Sequence, residues 1–355
     1  METMKAVVYR GNEIIELTDR PMPKILDPRD TLVRVTRSTI CSSDLHILHG
    51  TVPRAKTNNV LGHEFVGEVM ETGPAVRKFK AGDRVAVNVE TFCGDCFFCR
   101  RGYVNNCVEG GWELGCRIDG CQAEYVRVPT ADMSLTPIPD NVTDEDALFV
   151  GDVLATGYWA AQIGEIEPAS VIVVLGAGPT GLCTMMSARL YSPAVLVAVD
   201  VNEHRLNVAK KNGLCDVALN PQKDDVDAIV RQLTNGRGAD RVFEVAGAKN
   251  TFEQAWKIAR PNAIVVVVAL YPEAQSLPLH LMYGKNLTFK TGGVDANSCG
   301  EIMKLIEAGR LNTSCMITHR APLNDVLTGY RVFGNQEDGC IKWVITPYEH
   351  ERKDE

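Results

Sequence analysis

The run VIVVLGAGPTGLCTMMSARL, residues 171–190, constrains this chain more than any other stretch. Five apolar residues lead into Gly176, Gly178 and Gly181, spaced G-x-G-x-x-G, and a helix-like pattern follows. The spacing alone is weak; between a buried strand and a helix it reads as a dinucleotide-binding turn. The first glycine makes the tight turn, the second admits a pyrophosphate against the backbone, and the third lets helix and strand pack closely. Phosphate would sit at the helix N-terminus, where Pro179 and Thr180 open the first turn. A glycine-rich αβ turn with no ligand is the bland alternative.

A second strand, AVLVAVD, ends in Asp200, nineteen residues past Gly181. An acid there accepts hydrogen bonds from adenosine ribose hydroxyls and repels a 2′-phosphate, which predicts NAD(H) over its phosphorylated form. Arg205 is a nearby cation that could accommodate a phosphate. Between 151 and about 295, strand runs (VIVVLG, VLVAVD, RVFEVAG, AIVVVVAL) alternate with helical stretches, the pattern of a doubly wound parallel sheet. Residues 1–150 read differently. Short alternating segments (MKAVVYR, TLVRVTRSTI, FVGEVMETG, DRVAVNV, AEYVRVP) broken by Gly and Pro predict an antiparallel, barrel-like β region. The chain ends in a charged tail, HERKDE, expected to be frayed.

With 355 residues the chain is long enough for two domains and a large core. Its formal charge of −8, with no run of Lys and Arg, argues against nucleic acid or an anionic membrane as partner. METMKAVVYRG lacks the features of a secretory signal, and AIVVVVAL is too short to cross a bilayer, so a cytoplasmic location is expected. In such a compartment spaced cysteines are metal ligands or buried apolar residues before they are disulfides.

Four of the twelve cysteines fall in CGDCFFCRRGYVNNC. Cys93, Cys96, Cys99 and Cys107 have the short gaps and longer return arm of an all-thiolate tetrahedral site, which predicts structural zinc. An iron–sulfur cluster is the rival, but the ferredoxin continuation of x3 and Cys-Pro is missing. Disulfides or free thiols are the remaining reading. Cys116 and Cys121 read as small buried residues.

The stretch VLGHEFVGEV plants His63 and Glu64 in an otherwise apolar strand. A buried imidazole beside a buried carboxylate is costly without partners. STICSSDLHILHG offers Cys41, Ser43, Asp44 and His46, and GDVLATGYW offers Asp152, but spacing alone cannot bring these segments together.

GHEFVGEVMETGPAV fits G-H-E-x2-G-x5-G-x2-V, and with the early Cys, the S-D-L-H tail, the cysteine lobe and D-x-x-x-T-G the chain resembles the zinc-dependent medium-chain alcohol dehydrogenases over essentially its whole length. The resemblance implies an α/β protein: a GroES-like β-barrel catalytic domain over 1–153, a Rossmann doubly wound parallel sheet over 154–295, and a segment 296–355 returning to the catalytic domain. It implies two zinc ions per chain and NAD(H). Cys41, His63 and Asp152 become catalytic-zinc ligands, with Asp152 standing where many members have cysteine, as in bacterial secondary-alcohol and formaldehyde dehydrogenases. Glu64 either coordinates zinc intermittently or steadies the site from behind. Asp44 resembles the carboxylate that orients the ligating histidine. Ser43 would hydrogen-bond the substrate oxygen, and His46, rather than His49, would pass the proton to water.

By the family's pattern Val89 and Trp112 line the substrate wall. Valine where relatives often carry an aromatic, and serine at 43 rather than threonine, favour a secondary alcohol or ketone, including bulky ones such as a diol, polyol or hydroxysteroid. Formaldehyde or a primary alcohol is the alternative within the family, and a zinc-free quinone or enoyl reductase the alternative outside it. A non-catalytic relative would have lost the ligands. The resemblance also implies a homodimer or homotetramer through the nucleotide domains.

Overall fold

The computed structural model describes residues 2–348, and counts below refer to these; the HERKDE tail lies outside them. Two compact units emerge: one runs to Ala155 and resumes at Asp295, and the other is Thr156–Val294.

The first unit opens with an antiparallel ribbon of β1 (Thr3–Gly11) and β2 (Ile14–Pro21). Then come β3 (Thr31–Thr39), helix α1 (Ser42–Leu48), β4 (Phe65–Thr72) and β5 (Arg84–Val87). Two short strands, β6 (Glu90–Thr91) and β7 (Gly111–Trp112), pair on either side of the cysteine lobe. β8 (Tyr125–Val128) and β9 (Leu135–Pro137) follow. The alternation legible in the sequence now has a cause: Val33, Val35, Phe65, Val69, Val85 and Val126 turn to one buried cluster. Each such side chain, fully buried, contributes about 1.5–3 kcal/mol.

The second unit is β10 (Val171–Leu175), α2 (Pro179–Arg189), β11 (Val195–Val199), α3 (Glu203–Lys211), β12 (Val217–Leu219), β13 (Ala239–Glu244), β14 (Ala259–Val267) and β15 (Thr288–Thr291). Its strands are all parallel, in the order β12-β11-β10-β13-β14-β15. That is the doubly wound dinucleotide-binding order. Strand β10, central in this order, is buried along its whole length, which is why its sequence is continuously apolar rather than alternating.

The chain then re-enters the first unit with β16 (Ile317–Pro322), α4 (Val326–Gly334) and β17 (Lys342–Thr346). The first unit's sheet runs β16-β17-β3-β4-β5-β9, with β8 also on β3. One pair in it, β16 with β17, is parallel; both strands lie outside residues 1–150, the region expected to be antiparallel. Strand β17 lies antiparallel to β3, with Val344 opposite Thr39. The last strand therefore lies beside the segment that leads into Cys41. Among the described residues no helix is long and apolar enough to cross a membrane.

Candidate active site

Cys41 lies where β3 gives way to α1, as the residue capping that helix. Asp44, in the first helical turn, accepts the Cys41 backbone N–H at 2.9 Å. An acid is favoured there by the helix dipole. His63 lies just ahead of β4, and Asp152 follows Gly151, whose carbonyl accepts the Val89 N–H at 2.8 Å. Gly151 is pressed so close to Val87 that a Cβ would come within 1.8 Å of its carbonyl oxygen. The chain must carry glycine there for Asp152 to reach its place.

The three side chains converge. Cys41 Sγ is 3.4 Å from Asp152 Oδ2, and His63 Nε2 is 3.3 Å from the same oxygen. One ligand atom from each lies within 4.8 Å of the other two. Zinc–ligand bonds of about 2.0–2.3 Å give a tetrahedron with edges of about 3.3–3.8 Å. A thiolate, an imidazole and a carboxylate at these separations fit a zinc ion with a fourth position open.

Behind the ligands stands a chain of support. His63 Nδ1 is 3.2 Å from Asp44 Oδ1, close enough to pair with it though not aligned as a hydrogen bond. Gln122 Nε2 donates to Asp44 Oδ2 at 3.1 Å, and Tyr330 of α4 donates to Gln122 Oε1 at 2.7 Å. The Trp112 ring meets His63 edge to face, centroids 5.3 Å apart. Ser43 Oγ is 3.8 Å from Cys41 Sγ. His46 is half-buried, its Nδ1 3.0 Å from Thr51 Oγ1, while His49 is exposed.

Glu64 does not join the converging atoms. Its Oε1 accepts the Val153 N–H at 3.1 Å, and Oε2 is paired with the Lys342 ammonium. Both side chains are completely buried. Lys342 also donates to the Ile40 carbonyl at 3.3 Å and lies 5.6 Å from the Phe149 ring centroid. The reading of Glu64 as a ligand thus meets a competing partner that it pairs with directly.

Burial governs the charges here. It raises the Cys41 thiol against the pull of Lys342. It would depress His63, but Asp44 and Asp152 reverse that and hold the imidazole well above its ordinary value. Asp152 is pushed up by burial and brought below the usual carboxylate range by His63. Burial raises the Glu64 carboxyl, with Lys342 opposing. Burial, then His49, lowers His46.

In the lobe, Cys93, Cys96, Cys99 and Cys107 also converge within 4.8 Å. Cys96 and Cys99 sulfurs are 3.5 Å apart, and Cys93 and Cys99 sulfurs 4.0 Å. Zinc–sulfur bonds of about 2.3 Å require edges of about 3.8 Å, so four thiolates fit a closed tetrahedral site. Backbone N–H groups of Cys99 and Val108 hold Cys96 down at about 6, while burial pushes Cys99 up to about 12. Cys116 and Cys121 are buried and belong to neither group.

In the second unit Gly176 takes φ 109°, open only to glycine, and a Cβ on Gly181 would stand 1.9 Å from the Gly176 carbonyl oxygen. Gly178 has open space on its Cβ side, its nearest neighbour there being the Arg205 guanidinium. Pro179 and Thr180 form the first turn of α2. Asp200 Oδ2 accepts the Ala177 N–H at 2.7 Å and Oδ1 the Asn202 N–H at 2.8 Å. Each oxygen keeps lone-pair capacity for a ribose hydroxyl.

Residues 27–140 match the family model for the alcohol dehydrogenase GroES-like domain, and 179–308 that for the zinc-binding dehydrogenases. An alcohol dehydrogenase of Cupriavidus necator is 36% identical, over 97% of this chain and 99% of its own length. The zinc dependent alcohol dehydrogenase 2 from Streptococcus pneumonia superposes with a TM-score of 0.91 at 34% identity, over 97% of this chain and 98% of that one. The chain belongs to the zinc-dependent medium-chain alcohol dehydrogenases. It is therefore an oxidoreductase of small-molecule alcohols. A further structural relative, a zinc-binding dehydrogenase from Sinorhizobium meliloti bound to NADP, has a TM-score of 0.88 at 28% identity over 98% of this chain and all (100%) of that one.

For this alcohol dehydrogenase, sequence reasoning missed Lys342, Gln122 and Tyr330. Lys342 carried the same signal as His63: a charge inside an apolar strand, CIKWVITP. Gln122 and Tyr330 carried none, because their roles arise only from α4 and the loop before β8 meeting behind Asp44.

Proposed function

We propose that this protein interconverts a secondary alcohol and its ketone with NAD(H), using one catalytic zinc at Cys41, His63 and Asp152 and one structural zinc at Cys93, Cys96, Cys99 and Cys107. The observation that carries the reading is the meeting of Cys41, His63 and Asp152 from three distant segments at tetrahedral spacing. Zinc there would supply Lewis acidity, worth on the order of 12 kcal/mol if a bound alcohol follows bound water from a pKa of about 15.7 to about 7, and the dinucleotide would supply hydride exchange.

The chain's own residues do the rest. Ser43, beside Cys41, would hydrogen-bond the substrate oxygen, and His46, which burial makes less basic than an ordinary histidine, would pass the proton on to water. Asp44, Gln122 and Tyr330 keep the His63 ring turned with Nε2 toward Asp152. Val89 and Trp112, both buried, wall the site and exclude water. The absence of a bulky ring at 89 supports room for a branched or secondary carbinol, with diols, polyols and hydroxysteroids in range. Asp200 supports NAD(H) over NADP(H), by repulsion of a 2′-phosphate.

Strand β15 ends the parallel sheet, and Leu279, Leu281 and Tyr283 just before it are exposed. These support a homodimer or homotetramer through the nucleotide unit, which sedimentation would reveal as a mass above one chain.

Cys41→Ala and Asp152→Ala should each abolish alcohol turnover, lower zinc from about two to about one per chain and leave NADH binding intact. Near-normal turnover in either variant would reject the assignment.

A further inference from the structure

Glu90 belongs to no role described so far. It lies on β6 directly opposite Trp112 of β7, so the two side chains share one face of the ribbon. The Trp112 ring on that face packs against His63. Glu90 is 6% exposed, yet its Oε2 has no hydrogen-bond partner, and neither has the Trp112 indole Nε1. Buried polar atoms are rarely left unpaired. Two of them, a carboxyl oxygen and an indole N–H, are here carried by facing residues of one ribbon, the indole ring against His63.

Neighbouring groups do not account for them. Arg117 Nη2 is engaged by the Gly110 carbonyl at 2.6 Å and by Glu113 at 2.5 Å. The Arg54 guanidinium lies over the Trp112 ring, 5.2 Å from its centroid. Burial pushes Glu90 up to about 8, with Arg54 opposing and Asp152 adding, so the carboxyl is a charged acceptor only above about pH 8.

Above about pH 8, where Glu90 carries its charge, this acceptor and the indole donor select their own ligand. An ammonium group could satisfy Glu90 but offers nothing to an indole N–H, and Arg54 repels it. A carboxylate could accept from Trp112 but would face Glu90. A ketone only accepts. A hydroxyl both donates and accepts, and so satisfies both atoms at once. We propose that Glu90 and Trp112 form a polar subsite that binds a second hydroxyl of the substrate, making this enzyme selective for diols and polyols over simple secondary alcohols. This deepens the function proposed above and rests on it.

The test, run above the Glu90 value of about 8, compares matched pairs, propan-2-ol with propane-1,2-diol and pentan-2-ol with pentane-2,4-diol, in wild type, Glu90→Leu and Glu90→Gln. Wild type should prefer a diol. Glu90→Leu should cut kcat/KM for that diol about tenfold or more, because a site built for a hydroxyl discriminates strongly. It should do so chiefly through KM, with the mono-alcohol and the zinc content unchanged, and Glu90→Gln should recover part of the loss. Equal losses on diol and mono-alcohol, or no diol preference in wild type, would overturn the subsite while leaving the alcohol dehydrogenase reading intact. Stronger preference for 1-amino-propan-2-ol would overturn the hydroxyl assignment. Wild type that turns over no alcohol, with zinc bound, would instead bring down the underlying function and the subsite with it.

Discussion

The four lobe cysteines lie within the fifteen residues 93–107, whereas Cys41 and Asp152 are 111 positions apart. Three of the lobe cysteines are half-buried and Cys107 is buried, and support is mainly local backbone: Cys93 N–H points at Cys107 Sγ, and short turns join Cys96 to Arg100 and Cys99 to Gly102. In the other centre Cys41 is half-buried and His63 and Asp152 are buried, and the site depends on side chains from the whole first unit, Asp44, Gln122, Tyr330, Glu64 and Lys342 among them. A local site needs little but its own loop. A site assembled from distant strands needs a finished fold, and in the function proposed above its three ligands would leave one coordination position for chemistry.

The contrast is sharpest when one ligand is removed from each. Cys99→Ala should cost on the order of several kcal/mol of stability, since structural zinc contributes folding energy directly. Asp152→Ala should spare most of the stability and remove turnover. Thermal melts with metal analysis would check this, and equal losses of stability would break the comparison.

Next in size is the buried ion pair. Lys342→Met leaves Glu64 buried and uncompensated, which should cost about 3–5 kcal/mol in urea unfolding. Adding Glu64→Gln should restore a good part of that. A single variant as stable as wild type would mean the pair is solvated. No lobe residue should show such a rescue.

The smallest effect concerns protons. In the metal-free chain at neutral pH, Cys41 is raised and keeps its proton, and His63 is raised and carries one. Zinc accepts only the deprotonated forms, so loading this site should release about two protons and tighten as pH rises. In the lobe Cys96 is held low, near 6, and has already lost its proton at neutral pH, while Cys99, pushed up to about 12, and Cys107, raised by burial, keep theirs and release them on loading. Calorimetry in buffers of different ionisation enthalpy would measure the release, and pH-independent uptake would contradict it.

What the sequence disclosed follows the same division. The G-x-G-x-x-G turn and the four-cysteine lobe were legible because their parts are neighbours in the chain. The strands β1, β3, β4, β5, β8, β10 and β11 were legible through period and apolar run. The parallel pairing of β16 with β17 was not, because strand direction is fixed by partners far away in sequence. Cys41, His63 and Asp152 could be joined only by resemblance to a family, since nothing in their spacing brings them together. Glu64 stood out as a misplaced charge, but its partner lies 278 residues later, where a lone lysine in an apolar strand has several explanations. Glu90 gave no sign at all. It reads as an ordinary acid ahead of the cysteines until the ribbon turns it toward Trp112.

Lys342 is synthesised 235 residues after Cys107. On the ribosome, a growing chain owns its complete nest of four thiols once residue 107 has emerged, while Glu64 waits for its counter-ion until residue 342 has followed. Order of manufacture thus separates the two halves of the metal chemistry: the lobe can be fixed early, and the reactive centre is locked only by the closing strand.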